Sequence, residues 1–282
     1  MSSIVFIPFG LYKIFDTVHI PVGSRIVGQA WSQIMATGDK FQDINNPRVA
    51  VQVGNFGDIG VIEIQDVMFT VSDPTAGAIL VEWNVHKILQ GSVGMWGTHI
   101  RVGGAIGSDL QLADCPSLSG NINSQCVAAS LLFRMSSKSS GYIENSWMWV
   151  ADHDMDVVTQ DPIDIYSAEH NVLYQYQVSR AKEILMDVIQ TESPYFQVVL
   201  AAPDPFSSGL GLFANDSKLS DCKPDSLSCA MSWAIRIVDS VSIYVLGAGL
   251  YSWFQQYGQT CLATETCQDR IFSVEQSTEI WV

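Results

Sequence analysis

Four stretches of this chain share one rhythm: GVIEIQDVMFTV (60–71), GYIENSWMWVAD (141–152), RAKEILMDVIQT (180–191) and DSVSIYVLGAGL (239–250). Each starts on a small or polar residue, runs through alternating apolar positions, breaks at a polar bend and enters a second apolar run. Strand units recurring at multiples of roughly 20–30 residues are the mark of a β-solenoid, in which each pass of the chain pairs in parallel with the passes on either side. Further short apolar or alternating runs at 3–8, 17–20, 48–53, 78–85 and 183–190 are separated by turn residues. No segment keeps a helical period beyond about ten residues. An antiparallel sandwich is the competing arrangement. It would need tight hairpins, yet no Asn-Gly or Asp-Gly dipeptide occurs in the sequence. The expected fold is therefore all-β, a parallel β-helix.

The opening fits the first coils of such a solenoid, with Pro-x-Gly turns at 8–10 and 21–23. Ala30 and Trp31 then lead into what reads as an irregular segment. Nothing in composition marks a second domain, so 1–282 is expected to be one domain. Residues 201–228 (AAPDPFSSGLGLFANDSKLSDCKPDSLS) read as a loop excursion.

The net charge is −15 with only 14 Lys and Arg, which argues against nucleic acid and anionic membrane surfaces as partners. No apolar run reaches the ~18–20 residues of a membrane span. The six cysteines fall into close pairs, Cys115 with Cys126, Cys222 with Cys229 and Cys261 with Cys267, as expected of three small disulfide-closed loops. None forms CxxC and no His cluster lies near them, so neither zinc nor any other cofactor is expected. Asn215-Asp216-Ser217 is a glycosylation sequon. These features favour an extracellular protein. The first residues, MSSIVFIPFG, carry no secretory signal, so the chain is expected to begin inside a longer protein.

Against this background of low charge, IQTESPYF (189–196) sets Glu192 at the end of an apolar run, and SAEHN (167–171) sets Glu169 23 residues earlier. If 23 residues make one coil, the two glutamates project from adjacent rungs, ~4.8 Å apart. Paired carboxylates can divide acid and base work, as glycosidic hydrolysis requires. His170, Asn171, Tyr174, Tyr176 and Tyr195 add hydrogen-bonding and stacking groups. A second cluster, ENSWMWVADHDMD (144–156), carries Trp147, Trp149, Asp152, His153 and Asp154. The Asp-His-Asp run could hold a metal, but a sugar-binding wall or hydrogen-bonded turn is favoured. GxSxG and GxGxxG are both absent.

The segments GYIENSWMWVADHDMD, SAEHNVLYQYQ and IQTESPYF resemble the fungal exo-β-1,3-glucanases of glycoside hydrolase family 55. So do VEWNVH (81–86), RVGGAIGSDLQLADCP (101–116) and CAMSWAIRI (229–237). The resemblance covers nearly the whole chain. It implies a right-handed parallel β-helix of the pectate-lyase-like type and a secreted, inverting, exo-acting hydrolase that releases glucose from laminarin-like β-1,3-glucan. By motif, Glu192 falls on the general acid, Glu169 on the glutamate that positions water and Tyr195 on an active-site tyrosine. Trp147, Trp149, Asp152, His153, Asp154, His170 and Tyr174 are expected to bind substrate. Family members resemble two tandem β-helices, and this chain matches the second. The missing first half is expected to complete the active site, so the chain reads as a fragment or shortened form with little activity alone. The alternative is a non-catalytic β-glucan-binding or relic protein of the same fold. Pectin-lyase chemistry is a weaker third reading, since Lys and Arg are scarce around 144–195.

Overall fold

The polar bend of the repeated rhythm is where the backbone turns. In the computed structural model, which describes residues 3–117, 122–169, 171–217, 219–223, 226 and 228–282, that position is a single residue in the left-handed region. It is Asp66 (φ 54°), Asn145 (φ 50°), Val188 (φ 48°) and Gly247 (φ 63°) in the four stretches. Asp, Asn and Gly tolerate this conformation better than other residues, which is why a polar or small residue interrupts the apolar run. At Asp66 such a residue re-aims one strand, Ile62–Val71, without ending it; at Asn145, Val188 and Gly247 one strand ends and the next begins within a few residues. A single stretch therefore contributes to two consecutive strand directions.

Contacts divide the chain into two compact units, 1–116 with 123–167, and 117–122 with 168–282. In the first, one sheet runs in the order Ser3–Ile7, Ser24–Ala36, Ile62–Val71, Val93–Trp96, Tyr142–Glu144. Beyond the bend, Leu11–Ile14 pairs with Ser24–Ala36, and His99–Val102 pairs with both Ile62–Val71 and Met148–Val150. A second sheet is ordered Val18–Ile20, Arg48–Val53, Ala78–Trp83, Val127–Met135, Tyr166–Glu169. In the second unit, Tyr174–Ser179 pairs with Trp233–Val238 and then Phe272–Glu275. Lys182–Asp187 pairs with Val241–Leu246 and then Thr278–Trp281, and Gln190–Glu192 pairs with Gly249–Tyr251. Every ladder with a described register is parallel; antiparallel contact is confined to isolated bridges such as His153 with Pro162. The protein is all-β with parallel sheets. Among the described residues no helix is long and apolar enough to cross a membrane.

Parallel, in-register pairing stacks like on like. Ile26, Ile64 and Met95 lie opposite one another on successive strands, as do Ile184, Ile243 and Ile280. Ile64, Met95 and Ile243 are fully buried. Each such side chain contributes about 1.5–3 kcal/mol on leaving water, so these inward columns supply the core that the alternating pattern encodes. The second unit's core gathers Val178, Ile235, Ile237, Ile243 and Val245.

Two expectations need correction. Ala30 and Trp31 do not open an irregular segment; they lie within the long strand Ser24–Ala36. Its pairing with Ile62–Val71 runs to Val27 opposite Gln65 and resumes at Ser32 opposite Val67. Gly28, Gln29, Ala30 and Trp31 thus stand where the neighbouring strand has only Asp66. A Cβ on Gly28 would lie 2.1 Å from the Asp66 carbonyl oxygen, so the bulge begins on a residue without one. Likewise, several strands gave no clear signal. Val93–Trp96 and His99–Val102 are short, and the first six residues of Val127–Met135 are all buried, which removes the alternation on which strand recognition depends.

Cys115–Cys126, Cys222–Cys229 and Cys261–Cys267 are disulfide-bonded, as the close pairing indicated. Peptide mapping under non-reducing conditions should recover three separate local cross-links. A peptide joining cysteines of two different loops would contradict this arrangement.

Candidate active site

Glu192 ends the short strand Gln190–Glu192, opposite Tyr251 of the next strand. Both its carboxyl oxygens are held. Tyr195 Oη donates to Oε2, and Gln190 Nε2 donates to Oε1 at 3.1 Å. The tyrosine reaches back three residues because the chain turns sharply through Ser193 and Pro194. Ser193 N–H donates to the Tyr251 carbonyl at 3.0 Å, and Tyr257 N–H donates to the Tyr195 carbonyl at 2.8 Å. The turn is anchored below by Gln197, which is fully buried. Its Nε2 donates to the Val172 carbonyl at 3.0 Å, and its Oε1 accepts from Ser232 N–H at 2.7 Å.

Tyr195, which bonds this carboxyl, and Tyr251, opposite Glu192 in register, each pack on further rings. Tyr195 packs on Phe254 with centroids 4.2 Å apart and meets Tyr257 edge-on at 6.5 Å. Tyr251 lies 4.7 Å from Trp253, and both are more than a third exposed. Sequence reasoning passed over Tyr251, Trp253 and Phe254. The signal was present in YSWFQQY (251–257), an aromatic-rich run directly after a strand. It could not be tied to Glu192 without the register.

Tyr195 and Gln190 each donate to one carboxyl oxygen, so a proton on Oε1 requires the Gln190 amide to be turned over. The Gln190 amide can serve either state, donating its N–H₂ to a carboxylate or, turned over, accepting from a carboxylic acid through its oxygen.

The expected rung partnership with Glu169 is not what the register gives. Glu169 ends the strand Tyr166–Glu169 in the sheet of Val127–Met135, whereas Glu192 belongs to the third strand after it and pairs with Tyr251. The 23 residues between them measure a step along successive strands, not a full coil. The side chain of Glu169 and all of His170 lie outside the described residues. Tyr174 is 2% exposed, with its hydroxyl donating to Asp216 Oδ1 at 3.3 Å and accepting from Gln177 Nε2 at 3.2 Å. A sugar-stacking residue needs an open face, and Tyr174 has none.

The remaining substrate-binding candidates belong to the first unit. Trp147 and Trp149 stack 4.0 Å apart at 14°, and Trp147 is 56% exposed. The Asp-His-Asp run builds a turn. Asp154 is buried and accepts Leu112 N–H on its carboxylate at 3.0 Å, while His153 Nδ1 lies 2.7 Å from Asp152 Oδ1. No group of three or more His, Cys, Asp or Glu suited to a metal occurs among the described residues. Asn215 uses its side-chain amide to donate to Ser179 Oγ at 3.0 Å and Asp239 Oδ2 at 3.1 Å. A glycan on Nδ2 would leave one N–H, so both of these bonds could not be kept.

No protein-family model matches the chain. A Penicillium expansum protein named non-secreted LysM effector LysM15 is 52% identical over 100% of this chain and 20% of its own length. A probable glucan endo-1,3-beta-glucosidase of Arthroderma benhamiae is 38% identical over 97% of this chain and 33% of its own length. A glucan 1,3-beta-glucosidase of Cochliobolus carbonum is 36% identical over 99% of this chain and 37% of its own length. The chain thus spans 20–37% of the length of these relatives. Over nearly all of its residues, the chain is a homologue of proteins named glucan 1,3-beta-glucosidase and glucan endo-1,3-beta-glucosidase, the family-55 glucanase type that its motifs resemble.

Proposed function

We propose that this chain carries the proton-donating portion of a secreted, exo-acting and inverting hydrolase of β-1,3-glucan, built as a right-handed parallel β-helix. The observation that carries the proposal is the Glu192 carboxyl, gripped by Tyr195 and Gln190 beside the half-open rings of Tyr251 and Trp253. Glu192 gives its proton to the glycosidic oxygen as the C1–O bond breaks and the electron pair passes to that oxygen. Water attacks C1 from the opposite face, and the product anomer is inverted. Glu169 is the residue proposed to position that water or to take the proton it loses on attack. The missing first half of the longer protein supplies the rest of the water's surroundings. The three disulfides support an oxidising, extracellular setting.

A second reading has its own support. The chain is 52% identical to a protein named as a LysM effector, and that name carries no enzymatic term and the word non-secreted. On that reading the fold and its aromatic faces bind glucan without cleaving it. Glucose release from laminarin separates the two. The hydrolase reading expects turnover by the longer protein and little by the chain alone. Binding of laminarin by the longer protein with no release of sugar would favour the second reading.

A further inference from the structure

Among the described residues, the strand Gln190–Glu192 pairs only with Gly249–Tyr251. Side chains alternate between the faces of a strand, so Gln190 and Glu192 share one face. Gln190 is exposed and lies opposite Gly249, so no side chain at that position restrains its amide.

The segments around Glu192 carry no other charge. Residues 188–203 and 240–264 hold the strand, its turn and the paired strand, and Glu192 is their only Asp, Glu, Lys, Arg or His. Their other titratable groups are the hydroxyls of Tyr195, Tyr244, Tyr251 and Tyr257. Ordinary tyrosine hydroxyls ionise near pH 10, so within these segments hydrogen bonds decide which form of the carboxyl is favoured. Tyr195 Oη donates to Oε2, and this bond serves either form, because Oε2 accepts whether or not Oε1 carries a proton. The Gln190 bond to Oε1, at 3.1 Å, serves only the carboxylate as drawn. A proton on Oε1 and an N–H aimed at it exclude one another. Gln190 is therefore the partner that changes when Glu192 gains or loses its proton.

We propose that Gln190 is a positioning residue that sets the pH range of catalysis by turning over its amide. Its carbonyl oxygen accepts from the Glu192 acid. Its N–H₂ takes the place of the proton on Oε1 once that proton has passed to the glycosidic oxygen. This rests on the proposed role of Glu192 as proton donor. A hydrogen bond to a charged acceptor is roughly twice as strong as a neutral one, so the amide favours the carboxylate overall. Gln190 thus helps the proton leave, and without it Glu192 stays protonated to higher pH.

The test has two arms. In the 282-residue chain, Glu192 is titrated by ¹³C spectra of protein carrying δ-¹³C-glutamate, its line assigned by its loss in Glu192→Gln. Gln190→Met keeps the length of the side chain and removes its hydrogen bonding. The midpoint should then rise by about 0.5–1 pH unit, the scale of one net hydrogen bond. In the longer protein, the alkaline limb of the kcat/KM profile on laminarin should rise with it. Gln190→Glu sets a second carboxyl against the first and should raise that limb by about 1–2 units. The acid limb, which belongs to the group taking the water's proton, should stay in place. In Gln190→Met, kcat at the optimum should fall about three- to tenfold. Both variants should keep the wild-type circular dichroism. An unmoved or lowered midpoint in a folded Gln190→Met would overturn the role of Gln190 and leave the hydrolase reading intact where laminarin is still cleaved. A loss of rate with both limbs fixed would reduce Gln190 to a structural residue and overturn the proposal. A raised midpoint with no laminarin hydrolysis by the wild-type longer protein would uphold the Gln190–Glu192 pair and overturn its part in catalysis.

Discussion

Glu192→Gln in the longer protein is expected to lower glucose release from laminarin by about 10²–10⁴-fold, the range of a lost general acid. Glutamine has the same shape and can still accept the Tyr195 hydroxyl, so packing around the turn should survive. What disappears is the proton. Laminarin binding and melting temperature should therefore stay close to wild type while turnover collapses. Tyr195→Phe tests the positioning half of the argument. It keeps the ring against Phe254 and removes the hydroxyl that fixes Oε2, so kcat should fall less than in Glu192→Gln with little change in KM. Wild-type turnover in Glu192→Gln would remove Glu192 from the chemistry.

The largest expected loss of stability lies elsewhere in the second unit. Arg236 is buried and clamps the excursion after residue 197 onto the sheet. Its Nε and Nη2 donate to the two Glu275 oxygens at 2.9 and 2.8 Å, and its Nη1 donates to Gln177 and to the Asn215 carbonyl. The guanidinium also lies 5.5 Å from the Trp233 ring. Glu275→Ala strips the only charge hydrogen-bonded to it among the described residues. Breaking a fully buried pair costs about 3–5 kcal/mol, but the Glu275 side chain is 38% exposed and solvent screens part of this. The expected loss is about 2–3 kcal/mol, or roughly 5–10 °C in Tm.

The same pair sets a pH dependence. Burial acts to raise the Glu275 pKa, and the hydrogen bonds and charge of Arg236 outweigh it, so the carboxyl sits below its ordinary value. A group with a depressed folded pKa adds stability above its unfolded value of about 4.3 and loses it as pH falls through the folded value. The Tm gap between wild type and Glu275→Ala should thus be constant near neutral pH and close below about pH 4. A gap that widens on acidification would show the pair has another role.

How far the sequence disclosed this structure depends on where each bend falls. Asp66 and Asn145 are polar residues interrupting apolar runs, so their bends could be read. Val188 makes the same turn with a β-branched residue, and Ala30 with Trp31 makes it with an apolar pair. Neither carries a signal, because the surrounding sheet imposes those conformations. The parallel pairing followed from the rhythm and the missing hairpin dipeptides. The register did not, because the lengths of the excursions between strands are not periodic. Glu192 meets Tyr251 only because a long excursion separates Tyr195 from Trp233, and a 23-residue spacing looked like a coil without that knowledge. The ESPY turn itself was legible as a candidate. Its aromatic partners at 251, 253 and 254 lie a full pass of the chain away.

A crystal structure of the longer protein carrying Glu192→Gln, soaked with laminaritriose, tests the central claim most directly. The account predicts a glycosidic oxygen within about 2.6–3.2 Å of the residue 192 side chain, with Tyr195 still holding that side chain from its other edge. Trisaccharide bound at full occupancy with its linkages away from residue 192 would contradict it.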